Sequence, residues 1–423
     1  MKFGRIALLV CCCLHTAVAQ PADALTSEDA GTYPVALNGS VRSGYFSASR
    51  KLDGARDVLA GSLWLTAKAK LPGGALVAEG WARHESALDR SGGVSTALLR
   101  EAYLDFHSGS TDVRVGHQII SWGRADEINP TDRLTPRDYT LLTPNSSDQR
   151  RGLLAARATQ HFALASVTAI WMPGSRPNTL PLAPARGISY VSEAASRSPQ
   201  GAVKIEHTGG DIDASLSYFS GHDPDPDLAI NARGSTGVVL ALRQPRVKVL
   251  GVDAATTIGG LSLRAEAAYT WAAAASRDDP LAKKSYFFAV VGGDMDVATA
   301  TNVNLQYIVR RVTDYRDPRL VSDTGLRAIA VEQAVVSGQL DRLQHGISFR
   351  LAHRWMNDTW QAELLGVYSL SYRDVVLRPK LVHAISDRWK ATLGADIFRG
   401  GSQTYFGRLR DLSLAYAELS FAF

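Results

Sequence analysis

The 423 residues carry 46 Lys and Arg against 41 Asp and Glu, a formal net charge of +5. So even a balance excludes the concentrated basic surface that nucleic acid requires, and no nucleic-acid partner is expected. The 3 cysteines all fall at 11–13, which leaves the rest of the chain without a disulfide framework or a cysteine metal site. No cofactor and no metal are expected.

Residues 1–19 read as a cleaved secretory signal peptide. Lys2 and Arg5 supply the positive start, Ile6 to Val18 is mostly apolar, and Ala17-Val18-Ala19 matches a cleavage pattern. Residues 20–34 read as a short periplasmic stub. Beyond them no apolar run is long enough for a transmembrane helix. The mean hydropathy of −0.07 suits a β-barrel as well as a soluble chain, because only every second barrel residue faces lipid.

Alternation is the main signal from 35 onward. In LSLRAEAAYTW (261–271), Leu261, Leu263, Ala265, Ala267, Tyr269 and Trp271 share one face, opposite Ser262, Arg264, Glu266, Ala268 and Thr270. TWQAELLGVYSL (359–370), RWKATLGADIF (388–398), NVNLQYIVR (302–310) and GISFRLAHRW (346–355) repeat the pattern. Period two over about ten residues is the length of one tilted strand crossing a bilayer. Trp64, Trp271, Trp355, Trp360, Tyr368 and Trp389 are read as interfacial girdle residues. The expected fold is all-β, a transmembrane antiparallel β-barrel of about 16–18 strands over 35–423.

The chain closes on SLAYAELSFAF. Its alternating strand ends in Phe421 and Phe423, resembling the assembly signal of Gram-negative outer-membrane barrels. This makes the barrel assembly machinery and outer-membrane lipid expected partners. The strand should pair with the first one, VALNGSVRSGYF (35–46), since lipid leaves no sheet edge unpaired. Nineteen segments read as strands, whereas a bacterial barrel needs an even number. The weakest are 237–243 and 246–257, split by Pro245; 324–341 reads equally as strand or helix. Pro379 predicts a bulge or strand end.

Between two strands lies SWGRADEINPTDRLTPRDY (121–139). Some thirty residues, 123–150, are long for a connection, so the segment is expected to carry function, bending inward as a constriction or standing as an extracellular loop. Its candidate residues are Trp122, Gly123, Arg124, Asp126, Asn129, Pro130 and Asp132. LREAYLDF (99–106), VRVGHQIISWGRADEINPTDRLTPRDY (113–139), PRVKVLGVDAATTIGGLSLRAEAAY (245–269) and LRPKLVHAISDRWKATLGADIFRGGSQTYFG (377–407) resemble a family of uncharacterised Gram-negative outer-membrane barrels. That family is distantly similar to alginate-export porins. The resemblance implies a barrel and transport, and supplies no substrate and no catalytic residue.

Turning the polar faces inward makes Arg114, Arg264, Arg310, Arg350, Arg354, Arg378, Lys380, Arg388 and Lys390 candidate pore-lining bases. Glu101, Asp105, Glu266, Glu363, Asp396 and Glu418 oppose them. One reading is a passive pore favouring small anionic organic solutes, since an Arg fork binds two oxygens at once. The other is that the charges pair across strands and merely keep the lumen wet. A third function class, an export conduit for a polymer or hydrophobic compound working with periplasmic partners, follows from the alginate likeness. The histidines lack ligand or triad spacing, so an outer-membrane hydrolase ranks last and no enzyme is expected. Association with further copies of the chain stays open.

Overall fold

The computed structural model describes residues 35–49, 56–88, 92–182, 187–234, 237–273 and 279–423. The expected signal peptide and stub lie outside the described residues. The strands run β1 (Val35–Ala48), β2 (Asp57–Leu71), β3 (Gly74–Ala87), β4 (Gly93–Ser108), β5 (Thr111–Gln118), β6 (Leu153–His161) and β7 (Ala165–Met172). They continue as β8 (Ile188–Ser192), β9 (Gln200–His207), β10 (Asp213–His222), β11 (Asp227–Gly234), β12 (Gly237–Arg243), β13 (Arg246–Ile258) and β14 (Leu261–Ala272). The last are β15 (Tyr286–Ala298), β16 (Thr301–Val312), β17 (Leu343–Trp355), β18 (Trp360–Ser369), β19 (Asp374–Ala384), β20 (Trp389–Arg399) and β21 (Leu414–Ala422). One helix, α1 (Thr324–Val336), stands between β16 and β17.

Eighteen strands form one antiparallel sheet. Each pairs with the next, skipping β8, β11 and β12, and β21 returns to β1 in the register Ser40↔Ala422 to Ala48↔Leu414. The seam extends to the chain end: the Gly39 N–H donates to Phe423 O at 2.9 Å and the Phe423 N–H to Gly39 O at 3.0 Å. The cylinder has no open edge, so the ladder groups pair within the wall, as hydrocarbon demands, with one interruption beside Pro379. Short turns connect strands at one rim. Gly259 and Gly260, at φ +57° and +84°, reverse the chain in two residues, a conformation that suits a hairpin twist and disfavours side chains. The other rim carries long segments, 119–152, 173–199, 223–245, 313–342 and 400–413 among them.

The parity problem resolves at 237–243. This strand, β12, leaves the barrel and forms a small sheet with β11 and, in parallel, β8. Pro245 separates it from β13, and its buried Leu240 and Leu242 pack on Leu228 and Ile329 rather than facing lipid. The ambiguous 324–341 segment is helical over α1, capped by Asp323, whose side chain accepts from the Leu326 N–H. At Pro379 the ladder to β20 is interrupted, with Leu377↔Ile397 followed by Lys380↔Gly394. The strand neither ends nor shifts register, because its other edge pairs continuously with β18. Strand β5 stops at Gln118, where Ile119 to Trp122 turn into the long segment.

Outward residues form an apolar belt: Leu63, Val115, Leu250, Val291, Leu305, Leu393 and Leu419 are all exposed. So continuous an exposed apolar surface is stable only against lipid. Rings gather near its edges, with Tyr269 and Trp271 at 4.7 Å and Trp389 and Phe421 at 4.9 Å. Along the short-turn rim His353, Trp355, Trp360 and His383 stack in a row at 5.7, 5.9 and 4.0 Å. Trp64 corrects the girdle expectation. It lies on the inward phase of β2, buried, 5.9 Å from Trp81 and with the Arg42 guanidinium 4.2 Å above its ring.

Candidate functional site

Segment 119–152 starts from β5 and crosses the barrel interior. Ile120, Trp122 and Leu134 bury themselves among inward residues of β6, β7, β10 and β13, including Leu153, Ile170, Phe219 and Val249. This apolar anchor places the polar part of the segment against the adjoining strands β13 and β14. There Glu266 of β14, 2% exposed, is the main fixing point. Its Oε2 accepts from the backbone N–H groups of Arg124 (3.0 Å) and Ala125 (3.2 Å); its Oε1 accepts from the N–H (2.7 Å) and hydroxyl (2.8 Å) of Thr131. A carboxylate with four donors is far better compensated for burial than one facing apolar walls.

The Arg124 guanidinium extends the anchor. Nε donates to Asp253 Oδ1 at 2.6 Å and Nη2 to Glu206 Oε1 at 2.5 Å, while Asp213 lies 3.7 Å from Nη1. Asp126 accepts from Asn304 Nδ2 at 2.7 Å and faces Arg264 at 3.5 Å. Glu127, at φ +62°, stands 3.9 Å from Arg378 of β19. Asp132 works within the segment, accepting from Arg150 at 2.5 Å and from the Trp122 N–H at 3.3 Å. Asn129 accepts the Asp132 N–H through its backbone oxygen, and Pro130 is fully buried. Both ends of the segment dock on the wall of β1 and β4: Glu101 accepts the Ile119 N–H at 2.8 Å at the start, and on the returning half Arg42 pairs with Asp148 at 2.7 Å and Arg100 donates to Ser147 O at 3.0 Å.

The other expected pore-lining residues are largely paired. Arg114 meets Asp105 at 2.6 Å and Arg264 meets Asp294 at 2.8 Å. Glu363 is shared by Arg350 (3.0 Å) and Lys380 (2.7 Å), and Arg378 lies 3.4 Å from Asp396. Glu418 sits on the inward phase of β21, in the field of Arg42, Arg83 and Lys390. Lys390 and Arg354 are exposed near the short-turn rim. Arg388 is not on a strand; it sits in the turn before β20, where Ser386 receives its backbone N–H. Among the described residues, Arg157, Arg310 and Arg354 have no ion-pair partner.

Several interior groups went unread in the sequence. Arg42, Arg83, Arg100, Trp64 and Trp81 line the β1–β4 wall, and Arg83 lies 5.5 Å from the Phe46 ring. Their signal was present: Arg42 shares its phase with Ser40 and Gly44, and Trp64 alternates with the outward Leu63 and Leu65. The mouth cluster had no local signal. Arg133 meets Asp225 (2.7 Å), Asp223 (3.5 Å) and the Tyr286 hydroxyl (2.8 Å). Lys283 meets Asp223 (3.0 Å) and Asp227 (3.4 Å), and α1 adds Gln333, which donates to Asp227 at 2.8 Å. Burial works against charge on Asp225, but Arg133, Lys283 and the Asn178 amide outweigh it and hold its carboxyl below the ordinary aspartate range. At Asp227 burial dominates, and its carboxyl is pushed up despite Lys283 and Gln333. Burial would lower Lys283, yet the three aspartates hold its ammonium above the usual lysine range.

No protein-family model matches the chain, and no curated protein aligns with it. Solved structures do. OccAB1 of Acinetobacter baumannii aligns with a TM-score of 0.56 at 10% identity, covering 92% of this chain and 96% of that one. OccD3 (OpdP) of Pseudomonas aeruginosa aligns at 0.54 and 10% identity, covering 92% and 91%. OccK11 (OpdR) of the same organism aligns at 0.53 and 9%, covering 92% and 95%. The alignments run over about nine-tenths or more of both chains, and this closed eighteen-stranded cylinder has the antiparallel barrel fold of these structures.

Proposed function

We propose that this chain is a porin-like channel of the Gram-negative outer membrane, through which small solutes diffuse without energy input. The observation that carries the reading is segment 119–152, held across a closed, polar-lined cylinder by Glu266 and Arg124. A cylinder with an apolar outside meets lipid, and a polar inside meets water. The cross-lumen segment, with Trp122, Gly123, Arg124, Asp126, Asn129, Pro130 and Asp132, then acts as the constriction. The likeness to the Occ structures supports the channel reading, and it comes here as an analogy of fold. A signal peptide over 1–19 delivers the chain, Phe421 and Phe423 present it to the assembly machinery, and no enzymatic role or cofactor enters.

The finer part of the proposal is a preference for anionic organic solutes. Most lumenal arginines are paired, so the preference rests on local excess: two cations on Glu363, and Arg157 and Arg310, which have no carboxylate partner among the described residues. Such a wall raises the local concentration of anions. The polymer-export reading, drawn from the alginate likeness, requires a strand of polymer to pass segment 119–152, whose anchors speak against it. Reconstitution in planar bilayers tests the proposal. Ohmic current with an anion-selective reversal potential in a salt gradient is expected. Folded protein that carries no current ends the channel reading, and cation selectivity ends the anion preference.

A further inference from the structure

The outer face of β13–β16 carries three charges, all of them cations near the long-loop rim. Arg246 and Lys248 are exposed on β13 and share the phase of the lipid-facing Leu250, while Val247 and Val249 on the other phase are buried. Arg311 is exposed on β16, on the phase of Leu305 and opposite to that of the lumenal Arg310. Every other outward position on these four strands is uncharged, and the carboxylates of Asp253, Glu266 and Asp294 belong to the inward phase. Among the described residues no side-chain hydrogen bond or ion pair engages Arg246, Lys248 or Arg311.

Rings lie directly beside these cations. Lys248 pairs in register with Trp271, and Arg311 with Phe287, which on its other side opposes Tyr269. Trp271 and Tyr269 pack edge to face at 4.7 Å. A ring belt marks headgroup depth, so cations level with it stand among polar headgroups. Three of one sign with no counter-charge on the same face make a local positive field there. Long loops face the exterior in barrels of this kind, which puts the patch in the outer leaflet. Three strand spacings of about 4.8 Å and a two-residue offset separate Lys248 from Arg311 by roughly 16 Å. Their long side chains lean across that gap, so two anionic groups on one headgroup are met at once, one from each end.

We propose that this patch binds a bis-phosphorylated glycolipid of the outer leaflet, one phosphate on Arg311 and the other on Arg246 and Lys248, with acyl chains along Leu250 and the rings. The inference uses the assignment of the outer face to lipid and is independent of what the lumen carries. A guanidinium meets a phosphate through two parallel hydrogen bonds, and an ammonium meets it as a point charge. A phospholipid with a single phosphate reaches only one end of the patch.

The test uses the full-length barrel, refolded in detergent free of bacterial lipid and titrated with diphosphoryl lipid A, monophosphoryl lipid A and phosphatidylglycerol under native mass spectrometry. A single diphosphoryl lipid A per barrel is expected, held about threefold tighter than the monophosphoryl form and about tenfold tighter than phosphatidylglycerol. Lys248→Gln combined with Arg311→Gln should weaken diphosphoryl lipid A about tenfold or more. Arg311→Gln alone, with a loss of about threefold or more, stands in if the double variant does not fold. Arg399→Gln, which removes an exposed outward cation from the same rim on β20, should change the affinity by less than about twofold. Equal affinity for diphosphoryl lipid A and either other lipid, or an equal loss in Arg399→Gln, shows diffuse attraction and overturns the site, while an ohmic chloride current keeps the channel. Lipid A bound as expected by a barrel without current upholds the site and removes the channel.

Discussion

Gly123 and Glu266 meet at a spacing that admits no side chain on the segment: a Cβ at Gly123 would lie 2.6 Å from Glu266 Oε2. Gly123 also sits at φ +97°, where other residues are strained. The two demands coincide because the backbone must turn its N–H groups onto the carboxylate just where the chain reverses. Gly123→Val should therefore lift residues 123–131 from β14. Hydrogen bonds to a charged group are worth about 1.5–3 kcal/mol each, so Glu266→Ala should loosen the same stretch more strongly. Single-channel recording should show a severalfold change in conductance and added current noise in both variants. Wild-type traces from Glu266→Ala would mean the segment is held elsewhere.

The mouth cluster gives a pH dependence with a definite sign. The Asp225 carboxyl is held below the ordinary aspartate range, so its ionised form favours the folded cluster. That contribution is present above the unfolded value near 3.8 and disappears as pH falls through the folded value. Asp227 has the opposite sign: its carboxyl is raised, so its contribution is full below 3.8 and lost as pH rises through the folded value. Asp225→Asn should thus lower the melting temperature at pH 7, with the gap from wild type closing below about pH 3.8. Asp227→Asn should show a smaller deficit at pH 7 than Asp225→Asn. Melting curves in detergent across pH 3 to 8 decide; a pH-independent gap for Asp225→Asn would show that its charge is not what holds the cluster.

Leu419 and Ser420 are neighbours on β21 with opposite outlooks, Leu419 being exposed on the outer face. An arginine facing lipid costs about 2–4 kcal/mol at the bilayer midplane and about 0–1 near the interfaces, and Leu419, two residues from Phe421, lies toward the shallow end of that range, while a lumenal arginine meets water. Leu419→Arg should reduce the folded fraction in lipid vesicles, and Ser420→Arg should leave folding intact. Equal tolerance of both would contradict the assignment of faces.

Phe423 contributes both hydrogen bonds that tie the chain end to Gly39. Deleting Phe423 removes them at the one place where the sheet closes on itself. The assembled fraction recovered from outer membranes should fall several times over, and a Phe423→Tyr chain should assemble normally. Normal assembly of the truncated chain would leave the terminal residue without the recognition role proposed for it.

The alternation of β14, β18 and β20 was legible because lipid on one side and water on the other impose a strict period of two on each strand. The same rule, carried to β2, turns Trp64 inward, since it alternates with the exposed Leu63 and Leu65; an aromatic side chain alone does not mark a girdle. Strand β12 was legible as a strand but not as one outside the barrel, since a short apolar run looks the same whether its partner is lipid or Ile329 of α1. That Arg264, Glu266 and Asp396 point inward followed from phase alone. Which acid each arginine meets did not.

Sequence by itself determined the closed β-architecture, the position of the seam and which side chains face hydrocarbon, because these depend on local periodicity and on the rule that lipid tolerates no unpaired backbone. Tertiary structure alone decided that 119–152 crosses the interior onto Glu266, that Arg133 and Lys283 share three aspartates, and that Arg310 meets carbonyls and rings rather than a carboxylate. Those facts join residues far apart in the chain, brought together by curvature of the wall, and no local pattern encodes a distance across a cylinder.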